Sequence, residues 1–241
     1  MSAIYRILCL SLLVAFPVSL HAQEKVPGYG RLDVSRVVQK KKKRDGTIVY
    51  SLDNELIGEV VNSLKPHAAR YPTQFASKSD EKKAREDVGK LSKILVSMTK
   101  DDENARSQLL HQSAVLHSMA HNMGLKGAAP QADRCYLLLI DRHPDSLGMK
   151  FEFGRYLFFS SRPGESIEYL KQAHESDHET AAFQLGLAYA VVGRKEAALY
   201  FLRNYQQRHP DDKNALRIIK AVEEDKIETR KAAKNDDSSN R

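Results

Sequence analysis

The tetrapeptide Arg-His-Pro-Asp occurs twice, as Arg142–Asp145 and again as Arg208–Asp211. Proline cannot continue a helix, so each copy reads as a point where one helix ends and the chain is aimed into the next. The two prolines stand 66 residues apart (210 − 144). That is close to twice a period of about 34, the length of a helix-turn-helix solenoid unit. The spacing therefore predicts the same joint in two copies of one unit. A middle copy should end near residue 178, where the chain reads Glu-Ser-Asp-His.

The stretch 179–212 carries the unit most clearly. It carries Leu185-Gly186, Tyr189, Gly193, Ala198 and Pro210. Gly186 and Ala198 are small enough for two helices to approach, and the reading sets them facing each other. Tyr189 fills the seam, Gly193 permits the tight turn, and Pro210 closes the second helix. On these residues the segment resembles the tetratricopeptide repeat family. The middle copy, about 147–178, keeps Phe153-Gly154 and Ala173, has Ser166 for alanine and His178 for proline, and is about two residues short. The first copy, about 113–146, keeps Ala120, Gly127, Ala132, Tyr136 and Pro144. The resemblance covers 113–212 and says nothing before residue 80.

The expected fold is mostly α, a solenoid of paired helices with a small N-terminal extension. Val88, Leu91, Ile94, Leu95 and Met98 share one helix face, and Leu109, Leu116, Ala120 and Met123 share another. Asp101 and Asp102 are expected to cap the second of these helices. Further helices are expected over 131–142, 147–160, 164–176, 179–192, 195–208 and 212–232, the last serving as the polar-faced cap that a solenoid needs. The helical domain spans 80–232, and the apolar-poor tail 233–241 is expected to be disordered. In the extension, 23–79, Asp45-Gly46 lies between two β-prone runs and signals a hairpin. Asp53 is an N-cap and Pro66 a stop for the short helix that follows.

Residues 1–22 have the layout of a secretory signal: Arg6, an apolar run, then Ala22 before a polar stretch. Cleavage there would export the protein, to the periplasm or cell envelope of a bacterium and otherwise to the outside. An uncleaved anchor is the alternative, although Pro17 and the short run argue against it. Removal of 1–22 takes away Arg6 and Cys9. The net charge of +7 becomes +6, and Cys135 is left as the sole thiol, in an apolar pattern that suits a buried small hydrophobe.

Catalytic chemistry has little to rest on. His117 and His121, like His174 and His178, are four apart on expected helices, but no third metal ligand stands near them. They read as ordinary helix histidines, and no metal or cofactor is expected. The sequence contains no nucleophile elbow, phosphate loop or dinucleotide motif.

The resemblance implies instead a concave groove lined by the first helix of each unit and filled by a peptide or protein segment. Carried onto this chain, the groove residues are His117, His121, Phe151, Arg155, Phe158, Phe183 and Leu187. The three phenylalanines would form a partly exposed apolar strip around Arg155, unless they are buried by the N-terminal helices or a neighbouring unit. Phe183, Gln184 and Leu187 stand where some family members carry a carboxylate clamp, so no such clamp is expected. The function implied is an adaptor or scaffold, not an enzyme. The basic run Lys40, Lys41, Lys42, Lys43 and Arg44 supports an alternative: contact with an anionic polymer or membrane surface. The same lysines could simply keep a strand edge from pairing. Nucleic acid is disfavoured, because no aromatics interleave with the basic residues.

Overall fold

The structure, a computed structural model, describes residues 26–30, 32–101, 104–175 and 180–227. The expected signal segment, the tail 233–241, Asp102 and His178 lie outside the described residues. A short 3-10 turn, Val34–Val37, comes first, then two strands, β1 (Val38–Lys42) and β2 (Ile48–Leu52), and nine α-helices within the described residues. These are α1 (Asn54–Ala68), α2 (Lys78–Thr99), α3 (Ser107–Asn122), α4 (Ala128–Arg142), α5 (Leu147–Phe159), α6 (Pro163–Glu175), α7 (Ala181–Val191), α8 (Lys195–Arg208) and α9 (Lys213–Glu223). The fold is mostly helical and solenoid-like, with a small hairpin at its start. Among the described residues no helix is long and apolar enough to cross a membrane.

The hairpin forms where Asp45-Gly46 signals it. Gly46 takes φ +87, a left-handed conformation that glycine adopts freely, and Lys43 and Thr47 close the loop with a 2.8 Å backbone hydrogen bond. In the antiparallel register Lys40 faces Tyr50, Lys41 faces Val49 and Lys42 faces Ile48. Asp53 caps α1, its Oδ1 accepting from the Leu56 amide at 3.0 Å. Pro66, expected to stop this helix, lies inside it, and α1 runs one further half-turn to Ala68.

The stripes on α1, α2 and α3 build the first core. Ile57, Val60 and Leu64 of α1 and Val88, Leu91 and Leu95 of α2 pack with Leu116 and Ala120 of α3. Met98, expected on the same face of α2, is 49% exposed. The expected cap by Asp101 fails, because α3 starts later. Asp101 instead accepts from the Asn104 amide in a separate turn, and Arg106 stands at the N-cap position of α3 with no side-chain bond.

The pairs α3/α4, α5/α6 and α7/α8 follow. Their turns share one device: a residue of positive φ just past the first helix, flanked by two amides that bond back onto its last turn. Gly193 holds this place in the third pair, with its amide on Ala190 O and the Arg194 amide on Tyr189 O. Gly124, Ser161 and Asp225 hold it after α3, α5 and α9. Gly127, expected as the turn glycine of the first unit, lies at the start of α4 instead. Asp225 ends α9 at Glu223, well short of the expected residue 232, because its left-handed backbone turns the chain out of the helix.

The two Arg-His-Pro-Asp copies are the same joint. His143 has φ −133 and ψ 65, and His209 has φ −128 and ψ 65. Each amide bonds back onto its own helix, to Leu139 O and Tyr205 O, and each carbonyl accepts from the residue three further on, Ser146 or Asp212. Within the pairs, a Cβ on Gly186 would stand 2.6 Å from Leu202 Cγ, and one on Gly154 would stand 2.8 Å from Leu170 Cγ. Both glycines therefore exist for close approach. The seam partner of Gly186 is Leu202 rather than the expected Ala198, which is buried beside it.

Candidate functional site

The first helices α3 and α5 share a cleft of about 550 Å³. Its third wall is not part of any pair. The last turn of α1 and the segment Arg70–Gln74 lean over α3, so the N-terminal module closes one side. That wall is tied down by three bonds: Asn122 Nδ2 donates to Ala68 O at 2.9 Å, Gln112 Nε2 to Asn54 O at 3.0 Å, and the Gln74 amide to His67 O at 2.8 Å. The opening of the sequence thus contributes directly to the groove that the repeats define.

Residues of α3 spaced by helical turns supply the floor: His111, Val115, Ser118 and Asn122. Residues of α5 supply the far wall: Glu152, Arg155, Tyr156 and Phe159. His111 Nε2 lies 2.8 Å from Glu152 Oε2 and joins floor to wall. This hydrogen bond raises the His111 pKa above the ordinary histidine range, against the opposing effect of burial. Burial pushes Glu152 up, but the bond and charge of His111, with Arg155 and Lys65 nearby, outweigh it and hold the carboxyl below its usual value. The Arg70 guanidinium sits 6.0 Å over the Phe159 ring at the rim.

Of the groove residues expected from sequence, only Arg155 lines this cleft. His117 is 2% exposed and points inward, Nδ1 donating to Ser113 O at 2.7 Å. Burial pushes its pKa down, so it serves as a neutral core histidine. His121 is half-buried, edge-on to Tyr156 at 6.2 Å, and burial lowers its pKa too. Phe151 is buried, and Phe158, Phe183 and Leu187 are half-buried against the same apolar core of α5 to α9. The structure does gather these four, but in the seam between units rather than as a strip around Arg155, because α5 turns positions 151 and 158 away from positions 152, 156 and 159. Phe183 leans on Tyr205 with ring centroids 5.0 Å apart.

Sequence reasoning missed Lys65, Arg70, His111, Glu152, Tyr156 and Phe159. The available signal was the polar face 111, 115, 118 and 122 on α3, about 100° round from the face holding His117 and His121. No group of three or more side chains that could hold a metal occurs among the described residues. Cys135 is fully buried, and its thiol donates to Ser113 Oγ at 3.4 Å.

The basic run lies apart from the cleft. Every residue from Val38 to Ser51 is exposed, including Lys40, Lys41, Lys42, Lys43 and Arg44. β1 carries the lysines and β2 carries Ile48, Val49 and Tyr50, so the two edges of the hairpin differ in character. No family model matches the chain, and no curated protein matches it at a significant level.

Proposed function

We propose that the chain is an exported adaptor or scaffold of the tetratricopeptide-repeat kind, which holds a peptide or protein segment in the cleft between α1, α3 and α5. The observation that carries the reading is the shared cleft itself. It lies on the first helices of two successive pairs, is open to solvent, and combines aromatic surface with polar side chains. A rim of exposed Arg155 beside Tyr156 and Phe159 has the composition of an interface hot spot. The repeat kind is supported by the recurring joint at Pro144 and Pro210 and by the glycine–leucine approach in two pairs. The apolar run before Ala22 supports export.

A displayed random-peptide library panned on the full chain tests this reading. Enriched sequences should lose binding to the Arg155→Glu, Phe159→Ala variant and keep binding when Lys40 to Arg44 are reversed in charge. The absence of any enriched sequence would defeat the adaptor reading.

The exposed basic edge of the hairpin supports a second reading, in which it contacts an anionic polymer or membrane surface. Sedimentation with vesicles of phosphatidylserine and phosphatidylcholine tests it. Charge reversal of Lys40 to Arg44 should abolish binding that falls with salt, because exposed charges are screened within about 10 Å at 0.1 M ionic strength.

A further inference from the structure

The cleft carries an uneven charge. Lys65 comes from the last turn of α1, Arg70 from the segment after it, and Arg155 from the middle of α5. All three are exposed, and none has an ion pair within 4 Å among the described residues. Glu152 is the one carboxylate on the cleft walls, and it is bonded to His111 at 2.8 Å. The cleft walls thus carry three cations against one carboxylate that a histidine already engages.

We infer that the segment seated in this cleft is an acidic peptide, read by Lys65, Arg70 and Arg155 and anchored by an apolar side chain against Phe159. The inference rests on the adaptor reading and names the ligand class for its site. Two of the three cations come from outside the repeated units, so recognition depends on the N-terminal module.

The exposure of the cations decides between a small anion and a chain. An exposed charge pair is worth little alone, and a single phosphate or carboxylate at the rim would be held weakly. A segment with several acids engages the three cations together. Its ordering cost is then shared over all contacts and offset by an aromatic or aliphatic residue buried against Phe159, Val115 and Pro66. Val115 on the floor adds apolar surface beside the charged walls. The electrostatic part of the binding should weaken with salt, and the apolar part should not.

The test is fluorescence polarisation with the full chain and two labelled peptides of equal length. One alternates Asp and Glu around a central Phe. The other replaces every acid by its amide. The acidic peptide should bind, and the amide peptide should bind at least about tenfold more weakly, the size expected when several weak charge pairs are lost together. Arg70→Glu with Arg155→Glu should weaken the acidic peptide by a similar factor. Charge reversal at Lys40 to Arg44 should leave the affinity nearly unchanged at roughly physiological salt. Circular dichroism should show the same helicity for both variants, since all the altered residues are exposed. Loss of binding in the hairpin variant but not in the cleft variant would overturn the assignment. So would full displacement of the peptide by millimolar inorganic phosphate, which would mark a small-anion site. Equal binding of both peptides, lost in Phe159→Ala, would overturn the acidic preference and leave the adaptor reading standing. If neither peptide binds and the library yields no ligand, both fall.

Discussion

The two joints between successive helix pairs are built from different materials. At the second joint α6 packs broadly on α7, and Phe151, Leu170, Ala173, Ala181, Leu185 and Ala188 fuse into one apolar core. At the first, α4 and α5 touch narrowly. There Tyr136, Phe153 and Tyr156 stack, with centroids 5.2 Å apart for Tyr136–Phe153 and 5.8 Å for Tyr136–Tyr156. Arg162 grips Asp133 through two bonds of 2.7 and 2.8 Å, and His111 meets Glu152. Both joints bury apolar side chains, Leu139 and Leu157 among them at the first, but the first adds stacked rings and charge pairs and is the more polar of the two. The polar joint is the one beside the open cleft. Apolar contact there would have filled the space, whereas charged side chains can span it and still leave room.

The sharpest way to break this comparison is to empty the apolar joint. Leu185→Ala should cost about 2–5 kcal/mol in denaturant unfolding, with little dependence on salt or pH. Overpacking comes next. Gly186→Leu and Gly154→Leu should each cost about 1–3 kcal/mol or more, because their side chains would enter Leu202 and Leu170. A melting temperature unchanged by either would contradict the paired-helix seams. Arg162→Gln at the polar joint should cost about 1–2 kcal/mol and leave Asp133 without its partner. If it exceeds Leu185→Ala, the division between the joints is wrong.

A smaller effect separates the joints by pH. The raised pKa of His111 stabilises the fold below the ordinary histidine value, and this is lost as pH rises through the raised one. The lowered pKa of Glu152 stabilises it above the ordinary glutamate value, and this is lost as pH falls through the lowered one. The stability difference between the native chain and His111→Gln should therefore be largest between roughly pH 4.3 and 6.5 and shrink on both sides. A flat difference would remove the ion pair from the account of the first joint. The smallest expected change is a gain. Gly89 lies within α2 with nothing within 4 Å of an added Cβ, so Gly89→Ala should stabilise by up to about 1 kcal/mol and leave both joints alone.

What could be read from sequence follows from how local each signal is. The Arg-His-Pro-Asp joints, the Asp45-Gly46 turn and the Asp53 cap act within a few residues, and they were legible. Gly186 was legible as a close approach, although its partner Leu202 was not, since pattern alone does not tell which of two neighbours meets a gap. Ser161 and Asp225 escaped because neither residue type announces a left-handed backbone as glycine does. The cleft escaped for another reason. Lys65, Arg70, His111 and Arg155 come from three separated stretches of chain, and no period links them. Phe151 shows the opposite limit: an aromatic on a first helix suits a groove or a seam equally, and the packing of a neighbouring unit decides for the seam.

The helix α3 is packed from two directions and is open only along the cleft and at its first turn. Leu109, Leu116, Met119 and Ala120 belong to the first core with α1 and α2, while Leu110 and Ala114 belong to the core with α4 and α5. An element buried from two directions stays covered when either neighbour fluctuates away. Its amides should exchange with solvent only when the whole molecule opens, at a rate set by global stability and not by local breathing. The N-terminal module and the first repeat then form one cooperative unit of unfolding, and cutting the chain between them would leave neither half intact.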